Sequence, residues 1–153
     1  MMLSDHFALN EFLVSQTAQR LGRPIEPSEM EIANLRRLCV EILEPLRADL
    51  GRPIIITSGL RPPWLNKAIG GSRTSAHMFG RAADIIVPGI MPIVVASRVS
   101  ALQLEALDQC ILEFPPHGWT HLGIAALGTS PRGQYLTARS VNGQTVYEVG
   151  IRP

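Results

Sequence analysis

The sequence predicts an α+β fold in which N-terminal helices pack on a small, mainly antiparallel sheet. Three observations predict it. Apolar residues recur at helical spacing most clearly in the first 50 residues. Short β-branched runs bounded by Gly, Pro and Asn occupy much of the remainder. Near the C-terminus, Asn142-Gly143 lies between two such runs, a strong type I′ hairpin signal. Helices first and an antiparallel sheet later is the α+β order. At 153 residues, one domain spanning 1–153 is expected, long enough for a real core and without linker or internal repeat.

Residues 7–21 read as a first helix, with Phe7, Leu9, Phe12, Leu13 and Ala18 in a loose stripe and Gly22 as a stop. Residues 28–50 read as a stronger one. Ser28 and Glu31 form a capping box, and Ile32, Leu35, Leu38, Cys39, Ile42, Leu43, Leu46 and Leu50 keep a 3.6-residue period up to Gly51. Pro45 falls inside that pattern and is expected to kink or divide it. Residues 53–57 are a buried strand, and 58–75, rich in Gly, Pro and Ser, a long loop. Residues 84–87 form a second strand, closed by Pro88-Gly89, and 91–106 a surface helix. Strands at 111–114 and 119–124 flank a Pro-Pro-His-Gly connection. The terminal hairpin, about 134–151, pairs 135–140 with 145–151.

Composition excludes several classes. With 46% hydrophobic and 18% charged residues the chain is globular rather than disordered. A net charge of +1 and fourteen scattered Lys and Arg argue against nucleic acid as a partner. No apolar run approaches the ~18 residues of a membrane span, so no membrane insertion is expected. The first residues lack a basic region followed by an apolar stretch, so synthesis in the cytoplasm without a signal peptide is expected, as is a monomer. Cys39 and Cys110 sit in apolar contexts without Cys-x-x-Cys spacing and read as buried free thiols. His6 reads as a solvated terminal residue.

Chemistry concentrates in two segments. Ser75-Ala-His77-Met-Phe-Gly80-Arg-Ala-Ala-Asp84 and Trp119-Thr-His121 supply two imidazoles and one carboxylate, half of the four histidines among them. That is the ligand set of a catalytic zinc with one position open. Taken alone, a His and an Asp seven apart read more simply as a surface imidazole and a capping carboxylate. With Gly80 and Ala82 between them, a loop-to-strand path is favoured over a helix, because small residues let the backbone fold tightly. If the 111–124 hairpin centres on His117, Glu113 faces His121 directly, a suitable place for a general base acting on water at a metal.

Ser75-x-His77-x-x-Gly80-x-Ala82-x-Asp84, preceded by Thr57-Ser58-Gly59-Leu-Arg61, Asn66 and Gly70-Gly71 and followed by Trp119-x-His121, resembles the zinc D-Ala-D-Ala peptidase family. The closer resemblance, over about residues 7–125, is to the compact peptidase M15 domain common in bacteriophage cell-wall enzymes, whose fold is shared with the zinc domain of Hedgehog proteins. The resemblance implies one Zn2+ per chain held by His77, Asp84 and His121. It implies an Arg61 that contacts a substrate carbonyl or carboxylate, and a Ser75 that lines the substrate groove or braces the loop around His77. Trp64 and Trp119 belong either to the core or to that groove. Many relatives place the catalytic carboxylate three residues before the last ligand, a position held here by Gly118. Glu113 is therefore the preferred base and His117 the second candidate.

The implied activity is hydrolysis of peptide bonds in peptidoglycan stem peptides or cross-bridges, of carboxypeptidase or endopeptidase type, in phage or prophage lysis of the wall. The enzyme would act after release from the cytoplasm or as part of a phage particle. The rival is a non-catalytic wall-binding or tail module that keeps the zinc fold. A third reading, a small-dipeptide hydrolase, requires a walled pocket instead of an open groove.

Overall fold

A computed structural model describes residues 1–153. One six-stranded sheet runs through it in the order β1-β2-β4-β3-β5-β6, with β1 Ile55–Ser58, β2 Ala82–Ile86, β3 Leu107–Glu113, β4 Trp119–Ile124, β5 Gln134–Val141 and β6 Gln144–Val149. Every neighbouring pair is antiparallel except β3 and β5, which run parallel. The fold is thus α+β with a mainly antiparallel sheet, as the sequence predicts. The Asn142-Gly143 turn closes β5 on β6 with both residues at positive φ, the type I′ requirement.

The first predicted helix divides in two. Leu9–Leu13 is a 3-10 turn and Gln16–Arg20 is helix α1, separated by an extended Val14 and Ser15. Ser15 explains the break: its hydroxyl accepts from the Ala18 amide and starts the second piece.

The second predicted helix begins at the expected capping box, Ser28 with Glu31. It continues as α2 Glu29–Leu38, a wide π turn over Cys39–Leu43, and α3 Glu44–Leu50. Pro45 neither ends nor splits it. Proline has no N–H, so the Glu41 carbonyl loses its usual partner. The π turn just upstream absorbs this, with Glu44 N–H donating to the Cys39 carbonyl five residues back.

The 58–75 stretch is not one loop. It contains helix α4, Pro63–Ala68, entered through Pro62-Pro63 with proline at the first helical position. Helix α5, Pro92–Leu102, occupies most of the predicted 91–106 segment.

The core is a cluster of 21 buried residues. Leu35, Leu38, Ile42 and Leu46 of the long helix and Val95 and Val99 of α5 meet Ile85, Leu112 and Leu122 of the sheet. Cys39 and Cys110 are free thiols inside it, as expected. A smaller cluster joins Ala18, Ile25, Leu60 and Leu65, with Trp64 packed against it and the Arg23 guanidinium 4.3 Å above the Trp64 ring. Trp64 therefore belongs to packing. His6 is exposed, as expected, and its Nδ1 also lies 2.8 Å from a Glu44 carboxylate oxygen, which ties the N-terminus to α3. No helix is long and apolar enough to cross a membrane.

Candidate metal centre and its groove

Asp84 and His121 are directly opposed partners on β2 and β4, so their side chains leave the same face of the sheet. His77 arrives from the 3-10 turn Ala76–Phe79 that precedes β2. That turn is fixed at both ends. The Ser75 hydroxyl accepts from the His77 amide, and Gly80 reverses the chain with φ of 68°. A Cβ on Gly80 would sit 2.7 Å from the Glu31 carbonyl of α2, so only glycine lets the turn lie this close to the helix. Asn34 of α2 also donates to the Phe79 carbonyl at 2.8 Å.

Three ligand-type atoms converge. His77 Nε2 lies 3.2 Å from Asp84 Oδ1 and 3.2 Å from His121 Nδ1, and His121 Nδ1 lies 2.9 Å from Asp84 Oδ1. Ligands on tetrahedral corners around zinc, at its usual bond lengths, stand about 3.3–3.4 Å apart. The observed triangle is a few tenths of an ångström tighter.

The donor chemistry fits a cation as well. His77 Nδ1 donates to the Gly59 carbonyl at 2.8 Å, which leaves a lone pair on Nε2 of the neutral ring. That lone pair faces a carboxylate oxygen and a second imidazole nitrogen, so three electron-pair donors point at one another. Burial holds the His77 pKa below its ordinary value, although Asp84 opposes the shift. Burial alone would raise the Asp84 carboxyl, but His77 and His121 outweigh it and hold Asp84 well below the usual carboxylate range. The carboxylate stays ionised beside a neutral imidazole, the protonation state that metal binding requires.

These three residues line an open groove of about 660 Å³. Arg61, Ser75, Glu113 and Trp119 line it too. Arg61 follows β1, and its backbone amide donates to the His77 carbonyl. Its side-chain Nε is buried with no partner. Burial lowers the guanidinium pKa, and Asp84 and Glu113 partly offset that shift; the guanidinium stays charged. Trp119 stacks its ring 5.5 Å from Phe114, and its indole N–H is likewise buried and unpartnered. Trp119 thus belongs to the groove.

Glu113 is reached by a register different from the expected one. β3 pairs with β4 through Ile111↔His121, Leu112↔Thr120 and Glu113↔Trp119, so the connection centres on Pro116 and not on His117. The shift is two residues, which preserves the alternation of faces. Glu113 stays on the His121 face as a diagonal neighbour. Burial is the main cause of its raised pKa; Asp84 adds to it, and His121 and Arg61 oppose it. His117 is exposed at the tip of the connection and does not line the groove.

Two contributors are not legible in the sequence. The Gly59 carbonyl that orients His77 carries no side-chain signal. The terminal hairpin also lines the groove, through Leu136, Thr145 and Tyr147. Asn66, part of the motif series, donates to the Ser72 carbonyl and so braces the loop that lines the groove.

Fold and donor set together fit the class of metal-dependent hydrolases. The family described as Peptidase M15 matches residues 5–122, and the chain belongs to that family. No curated protein sequence matches the chain.

Proposed function

We propose that the chain is a zinc-dependent peptidase that hydrolyses peptide bonds in peptidoglycan stem peptides or cross-bridges. The observation that carries this reading is the convergence of His77, Asp84 and His121 at 2.9–3.2 Å, in one groove with an acidic and a basic side chain. His77 Nε2, Asp84 Oδ1 and His121 Nδ1 would hold the metal. Zinc bound there supplies Lewis acidity and lowers the pKa of water, the chemistry that peptide hydrolysis requires.

The chain's own groups account for the rest. Glu113 takes a proton from the attacking water on its carboxylate oxygen and passes it to the leaving amine. Its raised pKa brings it nearer the operating pH, where such transfer is most effective. Arg61 lines the groove beside the three ligands, and its guanidinium stabilises the negative charge that develops on the carbonyl oxygen. The same fork would hold a terminal carboxylate in a carboxypeptidase. Trp119 offers an apolar ring to a peptide lying beside the metal. Wall lysis in a phage or prophage setting, after release from the cytoplasm or from a particle, is the biological role favoured by the resemblance to compact phage enzymes.

The test is digestion of purified peptidoglycan with and without a chelator, followed by mass analysis of the fragments. New amine ends released only without chelator are expected. Intact peptides in both arms, with the protein bound to the wall, favour a non-catalytic module.

A further inference from the structure

The hairpin β5–β6 lies beyond the residues matched to the peptidase family, which end at 122, yet it forms part of the groove. Its register places two cross-strand rows on the groove face. One runs His121–Ile111–Leu136–Val149 and the other Trp119–Glu113–Ala138–Tyr147. The first row is apolar beyond the metal ligand. In the second, Ala138 is small and fully buried between Glu113 and Tyr147. Tyr147 lines the groove at the far end of that row, 55% exposed, a large ring displayed on the edge strand. Partial burial, and then the Glu113 carboxylate, raise its phenol pKa.

Dimensions bear on the ligand. From Asp84 on β2 to Tyr147 on β6 the groove crosses four inter-strand gaps, about 19 Å. An extended chain of five or six residues covers that distance, at about 3.3–3.6 Å per residue. A dipeptide would leave the Leu136 and Tyr147 end empty.

Resting on the peptidoglycan-peptidase reading, we propose that β5–β6 is a substrate-binding wall and that Tyr147 is a specificity-determining residue. Its ring covers an apolar residue of an extended peptide lying over Ile111 and Leu136, away from the scissile bond. The substrate class is therefore a peptide of about five residues and not a free dipeptide.

The experiment compares wild type, Tyr147→Ala and Tyr147→Phe, each loaded with zinc, on muropeptides carrying a full pentapeptide stem. Binding of the same muropeptides is measured in a Glu113→Gln background. Tyr147→Ala should raise KM and Kd about tenfold, with kcat within about threefold and zinc content unchanged. Tyr147→Phe should stay near wild type, because the ring and not the hydroxyl makes the contact. Unchanged KM and Kd in Tyr147→Ala, a loss confined to kcat, or equal losses in both variants would overturn the proposal while leaving the peptidase reading intact. A wild type that cleaves no muropeptide overturns both.

Discussion

Gly118 cannot carry the carboxylate that many relatives place there. A Cβ at that position would lie 1.7 Å from the Glu113 carbonyl oxygen. Next to it, Trp119 pairs directly with Glu113, whose side chain stays on the His121 face. Glu113→Gln is nearly isosteric and should keep fold and zinc while losing about 10²–10⁴-fold in turnover. His117→Ala should stay within about threefold of wild type. The reverse ranking would make His117 the base. A base works ionised, and burial raises the Glu113 pKa. Activity at constant metal content should therefore fall with decreasing pH at values above the ordinary ~4.3 of a glutamate. That limb should vanish in Glu113→Gln, and its survival in the pH profile would count against the assignment. Arg61→Lys keeps the charge but loses the planar fork. Turnover should drop about tenfold or more with zinc retained, and activity within twofold of wild type would remove Arg61 from the reaction.

At the scale of elements, the metal centre depends on how one short turn is clamped against a helix. Ala76–Phe79 brings His77 to Asp84 because Gly80 takes a left-handed φ and lies against the Glu31 carbonyl. Gly80→Ala meets both obstacles. Left-handed strain and the close contact together should cost about 2 kcal/mol or more, read as a lower denaturation midpoint together with reduced zinc affinity. A variant with wild-type stability and zinc binding would show that the turn tolerates displacement. The sequence made much of this legible. The ligand types, the loop-to-strand path and the capping box of α2 follow from side-chain chemistry and spacing, which are local. The β3–β4 register was displaced by two because it depends on backbone packing at Gly118, which no periodicity reports. Helix α4 was missed because Gly and Ser around it mask a Pro-Pro helix start.

Across the whole molecule, the long helix and α5 fix the sheet from one side and leave the opposite face of β4, β3, β5 and β6 to line the groove. The terminal hairpin's part in that groove was not legible, since it depends on β5 lying parallel to β3, a long-range pairing without a local signature. Closure of the core has a simple reporter. Cys39 and Cys110 are fully buried, and burial is the main cause that pushes each thiol up to about 12. A thiol reagent should label neither in the native protein and both in denaturant. Rapid labelling of native protein would mean that the helix layer opens readily from the sheet.

The proposed chemistry requires one metal held by three residues. The most direct measurement is the zinc content of the purified protein and of His121→Ala after equilibration with zinc and removal of the excess. One zinc per wild-type chain is expected, and in the variant almost none, because removal of one of three ligands opens the site. Equal zinc in the two proteins, or none in either, would contradict the assignment of His77, Asp84 and His121 as the metal centre.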